Sequence, residues 1–231
     1  MLKLCAIFAH PDDESFSAGG ALARYASSGV QVTLVTATSG GAGEVGSAAV
    51  KPEGLAAWRE RELHEAAAVL GVHDVRLLRL PDGTLAERST QLQALIAELL
   101  EEVEPHVALT EDVQGITGHP DHIAVAEAVV RAFDDLGEAA PLKLYEHVLP
   151  QSMTPTGIFG TPDHYVTTTL DVEQWREQQV AALREHRSQV DDEMLERFAG
   201  FPSPMLAHFI CVRSRVPILI PEHDLFDGVP G

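Results

Sequence analysis

Short apolar runs alternate with amphipathic stretches through the first half of the chain. Leu4–Ala9 is continuously apolar and ends at His10-Pro11, which predicts a strand buried on both faces. Ala18–Ser28, small and apolar and closed by Gly29, predicts a helix, and β-branched Val30–Ala37 a second strand. Leu55–Leu70 carries Leu63, Ala67 and Leu70 on one stripe and stops at Gly71, as an amphipathic helix with a glycine cap does. Val75–Leu80 then predicts a strand before the turn Pro81-Asp82-Gly83. Leu92–Val103 predicts a helix stopped before Pro105, Val107–Thr110 a strand, and Asp121–Phe133 a helix. This alternation implies an α/β fold in which helices cover a parallel sheet.

Beyond Pro141 the pattern loosens. Strands are expected at Leu142–Leu149 and Tyr165–Leu170, a helix at Val172–Ser188, and an apolar run with nearby prolines at Cys211–Ile220. Pro150–Pro162 reads as a loop over the site, and Ser39–Pro52 as a wall of the substrate pocket. No repeat or composition break divides the chain, so one domain spanning 1–231 is expected.

Charge narrows the classes of partner. The formal net charge of −19 argues against nucleic acid and anionic membrane, both of which select basic surfaces, and leaves room for a polar small molecule. Cys5 and Cys211 each sit in an apolar run and are expected as free thiols in strands rather than a disulfide framework. The N-terminal apolar run stops at His10, so neither signal peptide nor membrane anchor is expected, and a cytoplasmic location follows. Homo-oligomerisation stays open.

The chemistry lies in Ala9-His10-Pro11-Asp12-Asp13-Glu14, at the end of one predicted strand, and Gly118-His119-Pro120-Asp121-His122, just after another. Loops at the carboxyl ends of parallel strands converge on one crevice. There, His10, Asp13 and His122 form a His, carboxylate, His set of the kind that holds catalytic Zn²⁺ with a position left open, and that also suits Fe²⁺. Asp12 is expected to face the other way from Asp13 in an extended turn. One of the two acids would ligate and the other accept a proton from water. His119, as imidazolium, could protonate a leaving amine or stabilise an oxyanion, and Asp121 could orient one of the histidines.

These two motifs resemble the LmbE-like, or PIG-L, superfamily of zinc-dependent de-N-acetylases. The resemblance runs from residue 1 to about residue 136 and continues weakly in His186-Arg187-Ser188-Gln189. It implies a Rossmann-like three-layer sandwich with an irregular C-terminal part, and metal ligands at His10, Asp13 and His122. It also implies Asp12 as general base, an electrostatic or acid role for His119, and removal of an acetyl group from an N-acetylglucosamine-type sugar. Arg59, in Arg59-x-x-Glu62-Leu63, matches a family arginine that contacts the sugar. Where some members carry an oxyanion-holding tyrosine, this chain has Thr117. An amidase acting on a thiol–sugar conjugate is the alternative within the family.

Two other classes compete. Gly41-Ala42-Gly43-Glu44-Val45-Gly46 satisfies a dinucleotide fingerprint, but that motif needs a helix N-terminus directly after it, and Ser47 to Pro52 delays the helix to about Gly54. A non-catalytic metal-binding protein would keep the ligands without needing the intact acids and histidines around them.

Overall fold

The computed structural model describes residues 1–44, 54–114, 118–154 and 160–230. The elements are β1 (Lys3–Phe8), α1 (Gly19–Ser27), β2 (Gln31–Thr38), α2 (Leu55–Leu70), β3 (Asp74–Leu80), α3 (Ser89–Val103) and β4 (Val107–Glu111). They continue with α4 (Pro120–Leu136), β5 (Lys143–Val148), β6 (Thr168–Asp171), α5 (Arg176–Glu185), α6 (Asp192–Ala199) and β7 (Leu206–Ser214). All these strands lie in one sheet of order β3-β2-β1-β4-β5-β7-β6. β3, β2, β1, β4 and β5 run parallel, while β7 pairs antiparallel with both β5 and β6.

The side-chain alternation of β1 explains the three layers. Leu4, Ala6 and Phe8 join α1, α2, α5 and α6 on one face, and Cys5, Ile7 and Ala9 join α3 and α4 on the other. With both faces covered, a continuous apolar run suits the strand better than an alternating one.

The strand order reverses between β1 and β4, the switch point at which an open α/β sheet leaves a crevice at its carboxyl edge. Thr110 Oγ1 donates to the Ile7 carbonyl at 3.0 Å, and Thr38 donates to the Ala9 carbonyl through N at 2.9 Å and Oγ1 at 3.1 Å. The first motif is thereby pinned between its neighbours.

The C-terminal part is more regular than its sequence suggests. β7 begins at Leu206, ahead of the expected run from Cys211, and enters the sheet between two strands that precede it in the chain. The expected strand Tyr165–Leu170 contracts to Thr168–Asp171 after a 3₁₀ turn at Asp163–Tyr165, and α6 was not foreseen. The helix expected at Val172–Ser188 is a 3₁₀ turn, Glu173–Trp175, followed by α5. Cys5 and Cys211 are free, in β1 and β7, with Cys211 only partly buried. Among the described residues, no helix is long and apolar enough to cross a membrane.

Candidate active site

The two motifs meet at the switch point. Asp12 is not in an extended turn: its φ is +108°, outside the usual range of any non-glycine residue, and such strain costs roughly 1–3 kcal/mol. Asp13 follows in helical geometry and opens the π-helical turn Glu14–Ala18. The two carboxylates meet different partners, Arg59 for Asp12 and His10 with His122 for Asp13, across a left-handed kink rather than strand alternation. In the second motif His119 caps α4 with Pro120 at its first position, where the missing N–H is no loss. His119 Nδ1 accepts the Asp121 N–H at 3.2 Å.

Three residues form a tight triangle, in which the two imidazoles approach different oxygens of Asp13. His10 Nδ1 lies 3.2 Å from His122 Nε2 and 3.5 Å from Asp13 Oδ2, and His122 Nε2 lies 3.3 Å from Asp13 Oδ1. Tetrahedral coordination at metal–ligand distances of 2.0–2.2 Å places neighbouring donors roughly 3.4 Å apart, so this triangle fits a divalent cation with a face left open.

The outward nitrogens have carboxylate partners. His10 Nε2 faces Asp82 Oδ1 at 3.0 Å and Asp121 Oδ2 at 3.4 Å. Asp121 is itself fixed by the N–H groups of Gly83 at 2.7 Å and Leu85 at 3.0 Å. His122 Nδ1 lies 2.7 Å from Glu111 Oε2, an ion-pair contact rather than an aligned hydrogen bond, while Glu111 Oε1 accepts the Ala9 N–H at 2.9 Å. Carboxylates behind both imidazoles hold the rings and their tautomers for ligation.

Electrostatics follow the same arrangement. Burial disfavours charge on His10, but hydrogen bonds to Asp121, Asp13 and Asp82 outweigh it and raise its pKa to about 12. Burial would raise Asp13, yet the hydrogen bond from His10 and the charge of His122 hold it down at about 2. Asp12 goes the other way, to about 7: burial outweighs the pull of Arg59, whose Nη2 is 3.2 Å from Asp12 Oδ1, and the Asp13 charge adds to the rise. Burial and the positive His10 and His122 lower His119. This direction favours the neutral imidazole over the imidazolium expected from sequence. With Nδ1 accepting from Asp121, its hydrogen sits on Nε2.

A cavity of about 370 Å³ opens over these residues, lined by His10, Asp12, Asp13, Arg59, His119 and His122 together with Ala42, Gly43, Asp82, Gly83 and Gln189. A larger cavity of about 530 Å³ lies at the opposite, amino ends of β1–β3 around Lys3, His73, Asp74 and Arg76, and holds none of the expected residues. Arg59 lines the first cavity yet is only 4% exposed. Its guanidinium donates to Gly40 O at 3.0 Å and to Pro11 O, besides pairing with Asp12. A Cβ at Gly40, whose φ is +64°, would stand 2.3 Å from Arg59 Nη1, so only glycine lets the loop lie on the guanidinium.

All seven expected site residues thus converge, and sequence reasoning missed two more. Glu111 is the last residue of β4, one position beyond the strand expected at Val107–Thr110. Asp82 read as a turn residue, and its Oδ2 also accepts the Ala42 N–H at 2.7 Å. The position of each at the end of a parallel strand was the available signal. Asp163 and His164 lie in an exposed 3₁₀ turn. Thr117 and residues 45–53, which include the last two positions of the glycine segment, lie outside the described residues.

Comparison with known proteins agrees with the site. The profile of the GlcNAc-PI de-N-acetylase (PIG-L) family matches residues 5–133. The 1D-myo-inositol 2-acetamido-2-deoxy-alpha-D-glucopyranoside deacetylase of Kineococcus radiotolerans is 33% identical over 99% of this chain and 78% of that protein. Among solved structures, the N,N'-diacetylchitobiose deacetylase of Pyrococcus horikoshii superimposes with a TM-score of 0.65 at 23% identity, covering 85% of this chain and 73% of its own. The 4-carboxy-2-hydroxymuconate hydratase of Pseudomonas putida KT2440 superimposes with 0.71 at 17% identity, covering 95% and 100%. A hydratase and a deacetylase share this fold, so the fold alone does not select the reaction. The family profile, spanning both His-Asp motifs, and the sequence relatives do: the chain belongs to the GlcNAc-PI de-N-acetylase (PIG-L) family, and with it to a class of amide hydrolases.

Proposed function

We propose that the chain, as a single domain, removes the acetyl group from an N-acetylglucosamine glycoside whose aglycone is a polyol such as inositol, in the cytoplasm. The aglycone rests on the function of its sequence relatives. The observation that carries the metal-dependent chemistry is the triangle of His10, Asp13 and His122 with its open face toward the cavity. These residues would hold Zn²⁺, and two imidazoles with one carboxylate would also accept Fe²⁺. A cation bound there supplies Lewis-acid polarisation of the amide carbonyl and acidifies water.

The remaining steps belong to side chains. Asp12, with a pKa of about 7 beside Arg59, is matched to accept a proton from the attacking water near neutral pH. His119, through its Nε2 hydrogen, donates to the oxyanion as the carbonyl carbon becomes tetrahedral. The C–N bond then breaks and Asp12 returns its proton to the departing sugar amine, giving acetate and a free amine. Asp121, Asp82 and Glu111 hold the imidazoles. Arg59 anchors the Asp12 turn while lining the cavity wall that receives the sugar.

Amine release from N-acetylglucosaminides carrying inositol, chitobiose and alkyl aglycones, before and after chelation and Zn²⁺ return, tests this reading. Metal-restored turnover is expected, together with a loss of about 10²–10⁴-fold in Asp12→Asn at unchanged metal content. Wild-type turnover in Asp12→Asn would sink the mechanism. Silence across the panel with metal bound would move the substrate to another amide, such as a thiol–sugar conjugate.

A further inference from the structure

Two residues of the recognisable motifs have no part in the chemistry above. Glu14 closes the first motif and His186 opens His186-Arg187-Ser188-Gln189. Both side chains are fully buried, and neither lines the cavity. They meet behind Asp12. Glu14 Oε2 accepts the Asp12 N–H at 3.0 Å, and Glu14 Oε1 is held by Ser15 Oγ at 2.5 Å and His186 Nε2 at 2.7 Å.

The Asp12 backbone is in a conformation that persists only when its surroundings over-determine it. Around the kink, Ser15 and Phe16 donate N–H groups to the Asp12 carbonyl at 3.0 Å each, and Arg59 donates to the Pro11 carbonyl. Glu14 is the side chain that takes the N–H of the strained residue itself.

His186 is in turn placed from two sides. Its carbonyl accepts from Gln189 and Val190, and Ser188 is clamped by Glu62 of α2 through its N–H at 2.9 Å and its hydroxyl at 2.6 Å. Gln179 of α5 donates to the Ser15 carbonyl at 2.8 Å and accepts the Gly20 N–H at 2.9 Å. A Cβ on Gly19 or Gly20 would come within 2.8–2.9 Å of Gln179 or Val172, so this close docking needs the glycine pair.

We propose that Glu14 and His186 are positioning residues for Asp12: the chain after α5 reaches back to the β1 loop and, through His186 and then Glu14, holds the kink that aims the Asp12 carboxylate. The inference rests on Asp12 as the general base, and it assigns the His186-Arg187-Ser188-Gln189 segment to the catalytic step rather than to folding alone.

The test is a double-mutant cycle of Asp12→Asn and His186→Ala, with His186→Gln as the conservative variant. kcat, KM, bound metal and Tm are read for each protein on the best N-acetylglucosaminide. His186→Ala is expected to lower kcat about 10²-fold, the scale of a misplacement near 1 Å, with KM and metal content unchanged. His186→Gln returns an N–H near the Nε2 position and should recover most of that loss. In the Asp12→Asn background His186→Ala should add no further loss, because the residue it positions is already disabled. A loss that multiplies in full on Asp12→Asn, one that glutamine does not recover, or one accompanied by loss of metal would overturn the inference. Wild-type turnover in Asp12→Asn alone would instead overturn the assignment of Asp12, so the two failures are distinct. Where His186→Ala does not fold, Glu14→Gln in the same cycle carries the test, since its amide has one acceptor oxygen for contacts that now use two.

Discussion

Glu111→Gln changes one atom and tests the arrangement behind His122. Glu111 is 1% exposed and uses both oxygens: Oε1 takes the Ala9 N–H at 2.9 Å and Oε2 faces His122 Nδ1 at 2.7 Å. If His122 ligates through Nε2, which points at Asp13 and His10, then Nδ1 must carry a hydrogen. Glutamine offers one acceptor oxygen and an amide nitrogen that only donates. In either amide orientation a donor faces a donor, against the Ala9 N–H or the His122 Nδ1–H. The imidazole escapes only by moving its hydrogen to Nε2, which forbids ligation. One unmatched buried donor costs about 1–3 kcal/mol. Loss of a carboxylate behind a ligating histidine costs about 10–100-fold in metal affinity, or about 1.4–2.8 kcal/mol, so the two routes agree. Metal Kd from competition with a fluorescent chelator is the assay, and kcat at saturating metal separates weaker binding from impaired chemistry. A metal Kd indistinguishable from wild type would refute both Nε2 ligation and the role of Glu111.

Two further predictions concern stability. Lys143 and Glu222 form a buried pair, with Lys143 Nζ also 3.0 Å from the Tyr145 hydroxyl. Lys143→Met leaves the Glu222 carboxylate uncompensated in the interior and should cost about 3–5 kcal/mol, read as a fall in the calorimetric Tm; an unchanged Tm would contradict this. Burial, with the nearby His208, lowers His147 from 6.5 to about 3. Between those values the unfolded chain binds a proton that the folded chain refuses. This contribution to stability is full above the unfolded pKa and is lost as pH falls through the window. His147→Phe should therefore lose less stability than wild type between about pH 7 and about pH 5, by urea midpoints. Equal losses would rule out His147 as the titrating group.

Much of the parallel half of the fold was legible because its strands are covered on both faces. β1 read as an unbroken apolar run, β2 as a β-branched one and β4 as a short run ending in Thr110, and α2 announced its end at Gly71, whose φ is +80°. α6 was not legible: eight residues bury only Leu195 and Phe198, too few for a periodicity, although Asp191 capping the Met194 N–H is a local start signal. β7 was half legible, since nothing local to Leu206–Ser214 says that it will separate β5 from β6.

The sequence by itself determined the family, and it singled out His10, Asp13 and His122 as the proposed ligands with the acids beside them, because each motif is contiguous and follows a strand whose direction dictates where it ends. The tertiary structure alone decided which carboxylates stand behind the imidazoles, that Arg59 anchors the Asp12 turn, and that His186 reaches Glu14. Those partners are 19 to 172 residues apart in the chain in the cases of Arg59–Gly40 and His186–Glu14. Neighbours along the chain share a loop by covalent connection. Partners this distant meet only because burying the two faces of the sheet brings their elements into contact, and no local pattern records which side chains will then touch.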